Sequence, residues 1–178
     1  NDTTPLLGGT ISAVLNSGER VVILRDGAVV GTATVTGTTW TFADAGLVDG
    51  STYIYTARVE DAAGNRGAIS TNYSISVDSS APTQTVVISN IVDDVAPQTG
   101  NVANGGTTND VTPELQGTIS TVLGSGEVVA VYRDGVKVGT ATVTNTTRTF
   151  ADTGLADGVN YVYTARVEDA AENQGSVS

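Results

Sequence analysis

The sequence predicts an all-β chain of two antiparallel β-sandwiches in tandem, each of about seven short strands, and three observations carry that expectation. First, YIYTARVEDAA at 53–63 returns as YVYTARVEDAA at 161–171, a spacing of 108 residues. The same spacing carries Asn1-Asp2 onto Asn109-Asp110, Asp26-Gly27 onto Asp134-Gly135 and Phe42 onto Phe150. Second, Tyr53, Tyr55, Ala57 and Val59 alternate with Ile54, Thr56, Arg58 and Glu60. That is the period of a strand with one buried face, so the Tyr, Ala and Val set is expected to point inward. Third, although small residues dominate and aromatics are only 5%, Val, Ile and Thr stand in alternating runs bounded by Gly and Asp, which disordered tails lack.

In chain order, residues 5–12 (PLLGGTIS) make a first strand whose proline sits at its start, where no ladder donor is needed. After a loop at 16–18, residues 21–24 and 29–36 form a hairpin around Asp26-Gly27, a pair suited to a two-residue turn because Gly accepts positive φ. Residues 39–43 (TWTFA) alternate Trp40 and Phe42 in the next strand, 44–50 turn a corner, 53–60 are the strand already described, and 69–77 closes the sandwich. Leu47 and Gly50 stand before Tyr53 as Leu155 and Gly158 stand before Tyr161, so a tight corner feeds each strand. Asp78-Ser79-Ser80-Ala81-Pro82 reads as a linker, because proline and small polar residues stop pairing. The expected domains are 1–80, lacking its first strand, and 81–178, lacking its last. The second opens with a strand at 85–92 and passes through 93–110 (DDVAPQTGNVANGGTTND) without strand periodicity. It then repeats the first at 113–120, 128–133, 136–144, 147–151 and 161–168. Each domain keeps an unpaired sheet edge, through which self-association is expected.

Nineteen acidic against eight basic residues give a net charge of −11, which disfavours nucleic acid and anionic membrane surfaces and favours cations. No apolar run approaches the ~18 residues of a membrane span, and no signal-peptide pattern opens the sequence, so an internal piece of a longer chain is expected. Cysteine and histidine are absent. Ser–His–Asp catalysis, cysteine nucleophiles and Cys/His zinc sites therefore have no residues to use. Paired carboxylates hydrolyse glycosides in other proteins, but acids repeated in each copy of a small sandwich point to structure, and the expectation is a chain that is not an enzyme. Asp26, Asp134, Asp49 and Asp157 read as turn residues.

With the Asp-Gly hairpins, the Leu-x-x-Gly-x-x-Tyr corners, YTARVEDAAGN and an NDTTP opening, the chain resembles the bacterial immunoglobulin-like repeats of large type I-secreted adhesins and biofilm-associated proteins. The corner spacing resembles the tyrosine corner of immunoglobulin-like sandwiches, in which the phenol bonds backbone. The resemblance implies immunoglobulin-like sandwiches in series, an extracellular place on a bacterial cell surface, and a spacer role in an adhesin stalk that serves adhesion and biofilm formation. It implies neighbouring repeats of the same chain as partners and calcium between or within domains. In such a sandwich the loop after the sixth strand lies beside the N-terminal linker, which would bring Asp78 to Glu168, Asp169 and Asn173. Asp93, Asp94, Asn109 and Asp110 bracket the long loop at the opposite end of the second domain. Calcium takes six to eight oxygens at ~2.3–2.6 Å, and these eight residues are its expected ligands, without any EF-hand loop. The second copy reads AAEN where the first reads AAGN, so Glu172 is expected to distort that loop or add a ligand. The alternative function is a module that contacts a carbohydrate or protein directly. Trp40 would be its stacking platform, although Arg148 at the equivalent position means the repeats do not share it.

Overall fold

The computed structural model describes residues 1–178 as strands and connections with no helix. It divides into two compact units, Asn1–Ser80 and Ala81–Ser178. No helix is long and apolar enough to cross a membrane.

The first unit contains β1 (Leu6–Thr10), β2 (Arg20–Arg25), β3 (Ala28–Thr32), β4 (Thr34–Thr36), β5 (Thr39–Ala43), β6 (Thr52–Glu60) and β7 (Tyr73–Ser76). One sheet runs β1-β5-β4 and the other β3-β2-β6-β7, with all neighbours antiparallel. The inner faces interlock around Val21, Ile23 and Tyr55, with Leu7, Trp40, Phe42, Tyr53, Ala57 and Val59 packed against them. The inward set of β6 is thus the Tyr/Ala/Val set that its alternation predicts. Asp26 and Gly27 both take positive φ, 51° and 80°, the pair a right-twisted two-residue hairpin requires.

Two expectations need correction here. Residues 29–36 are not one strand: β3 pairs with β2, β4 pairs with β5, and the chain crosses between sheets at buried Ala33. The Ala33 N–H donates to Val21 O at 2.9 Å. Alternation persists through the crossing, so periodicity alone does not reveal it. The closing strand is also shorter than 69–77, because the chain first crosses β6 irregularly, with Gly67 N–H on Val59 O and Ser70 N–H on Ala57 O, both at 2.8 Å.

The second unit contains β8 (Val86–Asp93), β9 (Gly100–Val102), β10 (Glu114–Ile119), β11 (Val128–Arg133), β12 (Val136–Thr140), β13 (Thr142–Thr144), β14 (Thr147–Ala151) and β15 (Tyr163–Glu168). Its sheets run β13-β14-β10-β8-β9 and β12-β11-β15. Val86, Ile119, Val129, Ala165 and Val167 form the core. The long loop, expected to be without strands, contains β9, which pairs Gly100 to Val102 along β8. Three residues are too few to show a period. β15 starts at Tyr163 rather than Tyr161, since no strand supports it there as β7 supports Tyr53 to Tyr55 of β6.

Candidate functional site

The acids expected to hold calcium are engaged within the protein. Glu168 at the end of β15 is buried, with Lys137 Nζ at 2.6 Å, Arg166 Nε at 3.1 Å and the Tyr132 hydroxyl on its oxygens. Burial pushes its carboxyl up, but the Lys137, Tyr132 and Arg166 contacts outweigh burial and hold it below the usual range. Glu60, its counterpart, meets Arg58 at 2.7 Å, Arg20 at 3.4 Å and Arg66 at 3.5 Å. Each copy therefore keeps the equivalent arginine, Arg58 or Arg166, on the same acid and adds different cations beside it.

Asp169 and Asn173 close a loop on themselves. Asp169 Oδ1 accepts the N–H groups of Ala171 and Asn173 and Oδ2 accepts the Asn173 amide, each at 2.9 Å. Asp61 and Asn65 repeat this arrangement. Glu172 takes φ 63° where Gly64 takes 86°, and both loops keep the same backbone bond at 3.1 Å. The loop is not distorted; Glu172 carries the strain instead.

In the long loop, buried Asp93 accepts the Val95 N–H at 2.8 Å and the Thr108 hydroxyl at 2.5 Å, and Thr108 Oγ1 accepts the Asp110 N–H at 2.9 Å. Asp110 Oδ1 takes the Thr112 N–H at 2.7 Å, Asn109 donates to Ala96 O at 3.0 Å, and Asp94 is exposed. Asp78, in the first unit, accepts the Ser80 N–H at 3.2 Å. No three acidic side chains gather as a metal group. As arranged within each unit, Asp93, Glu168 and Asp169 do not fit a calcium ion: both oxygens of each face protein donors, and Glu168 already faces two cations.

Asp26 and Asp134 are turn residues that also cap the neighbouring strand, accepting the Ile54 and Val162 N–H at 2.9 Å. Asp49 does more than turn. It accepts the Ser79 N–H and the Ser80 hydroxyl, both at 2.5 Å, and so ties residues 79 and 80 to the corner. Both corner tyrosines behave as their spacing predicts, with Tyr53 OH accepting the Val48 N–H and Tyr161 OH the Ala156 N–H at 2.9 Å. Their rings are half-buried, and Arg25 and Arg133 lie over them at 5.2 Å.

Sequence reasoning missed a clamp across the two sheets. Asp44, just after β5, accepts Arg25 Nη1 of β2 at 2.8 Å and the Tyr55 hydroxyl of β6 at 2.5 Å. Asp152 does the same with Arg133 at 2.8 Å and Tyr163 at 2.6 Å. Burial pushes the Asp44 carboxyl up, yet the Tyr55, Ala45 and Arg25 contacts prevail and hold it below its ordinary value. Burial beside Asp44 pushes the Tyr55 phenol up to about 12. The signal was present, since all three residues recur at the repeat spacing, but only the topology places them together.

The first unit also has an open groove. Asp44 N–H bonds Pro5 O and Ile11 N–H bonds Thr38 O, so the odd-numbered backbone groups of β1 face β5. Antiparallel alternation then leaves the N–H and C=O groups of Leu6, Gly8 and Thr10 along a free edge. Between that edge and residues 68–75 lies a space of about 550 Å³ lined by Leu7, Ile11, Ile23, Trp40, Tyr55 and Ile75. The Trp40 ring is half-buried in this groove and lies on Gly9, where a Cβ would come within 2.5 Å of it. It is not an exposed platform. In the second unit the equivalent space is filled by β8, which pairs with β10 and buries Val86. Arg148, in place of Trp40, is 1% exposed. Its Nη2 donates to Val87 O at 3.0 Å, while Nε and Nη1 have no acceptor.

Comparison with known proteins agrees with this architecture. The bacterial Ig-like domain family matches residues 1–79. The chain is 34% identical over 158 residues to exoglucanase B of Cellulomonas fimi, covering 88% of this chain and 13% of that protein. It is 36% identical over 153 residues to chitinase A1 of Niallia circulans, covering 81% of this chain and 18% of that protein. The chain thus spans less than a fifth of either relative. The SGBP-B protein of the Bacteroides ovatus mixed-linkage glucan utilization locus, solved with a mixed-linkage heptasaccharide, aligns over 97% of this chain and 61% of its own at 12% identity. Its TM-score of 0.28 is too low to carry an argument. Residues 1–79 are thus a bacterial Ig-like domain, and the 108-residue repeat carries the same strands and clamp into the second unit.

Proposed function

We propose that the chain is a non-catalytic spacer, a load-bearing pair of modules in a longer extracellular bacterial protein whose immediate partners are neighbouring modules. The observation that carries this reading is the clamp built twice: Arg25–Asp44–Tyr55 and Arg133–Asp152–Tyr163 tie sheet to sheet at the same place in each unit. Buried acids are used to hold the fold rather than aimed into a pocket. The relatives support the reading from another side. A segment common to proteins named for two different activities, and filling under a fifth of each, carries what they share rather than what separates them. In its narrower form the proposal is a segment of a cell-surface adhesin stalk that displays a distal binding module; the motif resemblance supports that form. The calcium stiffening that the resemblance implies is left out of this proposal, because protein donors already face the oxygens of Asp93, Glu168 and Asp169.

The test is to pull the chain from its ends and to incubate it with cellulose and chitin. Two separate unfolding events, each releasing roughly 30 nm of chain, with neither hydrolysis nor retention on the polysaccharides, are expected. Retention on either polymer, or extension without distinct force peaks, overturns the spacer reading.

A further inference from the structure

We propose that Asn104, in the long loop of the second unit, is a site of spontaneous covalent modification: its side-chain amide is lost through a succinimide closed with the backbone nitrogen of Gly105, leaving aspartyl and isoaspartyl forms. The inference rests on the turn at residues 103–106 and not on the spacer role. Of the eleven asparagines, only Asn104 precedes a glycine. After every other asparagine a side chain on the next residue crowds the attacking nitrogen, and glycine has none.

The turn presents both reacting groups. Gly106 N–H donates to Ala103 O at 2.8 Å, which places Asn104 and Gly105 at the two central positions. Gly105 takes φ 76° and Asn104 stays at negative φ, the signature of a type II turn. Residues 103–107 are exposed. No hydrogen bond within the protein holds the Asn104 amide or the Gly105 N–H, whereas the amides of Asn16, Asn65 and Asn109 are held by Glu19, Asp61 and Ala96 O. A Cβ built on Gly105 would meet nothing within 4 Å. The rotation that brings Cγ of Asn104 onto the Gly105 nitrogen therefore opens the Gly106–Ala103 bond and little else.

The step balances with water alone. The Gly105 N–H gives its proton to solvent base as its nitrogen bonds Cγ of Asn104, the Cγ–Nδ2 bond breaks, and the amide nitrogen leaves as ammonia. Water then opens the ring. Opening at Cγ leaves an aspartyl residue, and opening at the backbone carbonyl leaves an isoaspartyl residue with one extra carbon in the main chain. The Asp-Gly pairs at 26, 49, 134 and 157 have the same spacing, but the charge of a carboxylate turns a nucleophile away, and Asp26, Asp49 and Asp134 already hold N–H groups. Either product at residue 104 makes a chain of net charge −11 more negative by one. The isoaspartyl form also lengthens the path from β9 to Thr108, whose hydroxyl Asp93 holds at 2.5 Å.

The test is to warm the intact chain at about pH 8 and follow it by mass spectrometry with electron-transfer fragmentation. A gain of about one dalton at residue 104 is expected, mostly as isoaspartyl, about tenfold or more faster than at any other asparagine. It should quicken about tenfold for each unit of pH, because an amide proton must be removed. Asn104→Gln should abolish the early gain, since closure then needs a larger ring, and Gly105→Ala should slow it about tenfold or more. If Gly105→Ala alters the turn, Asn104→Gln carries the test. The same chain in urea sets the unfolded rate, and the folded chain should convert within about tenfold of it, as an exposed loop tip that opens at little cost. An aspartyl product alone, which direct hydrolysis gives, overturns the proposal. So does conversion no faster than at the other asparagines, or protection in the folded chain well beyond tenfold. None of these readouts depends on load or on polysaccharide, so the two proposals fail separately.

Discussion

Asp44→Ala should destabilise the first unit by about 2–3 kcal/mol, and the structure says where that comes from. Tyr55 is 2% exposed, so its hydroxyl cannot turn to water once its 2.5 Å acceptor is gone; an orphaned buried group costs ~1–3 kcal/mol. Arg25 is different. Its side chain is 25% exposed, so the guanidinium rehydrates and the ~3–5 kcal/mol of a fully buried broken pair does not apply. The Ala45 N–H, at 2.8 Å from Oδ1, adds a smaller loss. Tyr55→Phe alone should cost ~1 kcal/mol, and the double variant less than the sum, because no hydroxyl is then left orphaned. Urea unfolding followed by Trp40 emission reads the first unit, the second having no tryptophan. The pH dependence follows in sign from the lowered carboxyl of Asp44. Its contribution is fully present above the unfolded value of about 4 and is lost as pH falls through the lower folded value. The gap between wild type and Asp44→Ala should therefore narrow below about pH 4. A loss under 1 kcal/mol, strict additivity, or a gap unchanged down to pH 2 would refute the reasoning.

Other outcomes can be checked alongside. Tyr53→Phe should cost about 1 kcal/mol in the same urea experiment, the value of the one hydrogen bond from Val48. Arg148→Met should stabilise the second unit by about 1–2 kcal/mol, seen as a higher second transition in circular dichroism. It removes a guanidinium that burial pushes down in pKa and that leaves two nitrogens without acceptors. Glu172→Gly should raise the same transition by about 1 kcal/mol, since glycine adopts φ 63° without strain. Millimolar calcium should leave both transitions unchanged and release no heat in calorimetry; a saturable heat would show that the loops reorganise to bind it.

The elements that were legible in the sequence are those whose signal is local. Tyr53 to Val59 and the Asp26-Gly27 turn read directly because one period or one dipeptide determines them, and the corner read because Leu47, Gly50 and Tyr53 recur intact. Ala33 did not read, since an alternating run looks the same whether it stays in one sheet or changes sheets. The acids were the hardest. Asp169 has the same composition around it whether it binds calcium or caps the N–H groups of Ala171 and Asn173, and the choice depends on loop geometry that spacing does not contain. Glu168 depended on Lys137, thirty-one positions away, which meets it only after β11, β12 and β15 form one sheet.

The crossing at Ala33 bears on how the fold is reached. The β2–β3 hairpin and the β4–β5 hairpin are separated by that one residue, so a stretch of residues 20–43 already contains part of both sheets, joined by short turns alone. Such a piece needs little loop closure to form and can hold the sheets at their final angle before β1, β6 or β7 arrives. Residues 128–151 repeat it. Folding in each unit should start from this double hairpin, with the distant strands adding to a template whose two layers are already in place. A module stretched open would then regain its shape from the middle of its own sequence, without waiting for its ends.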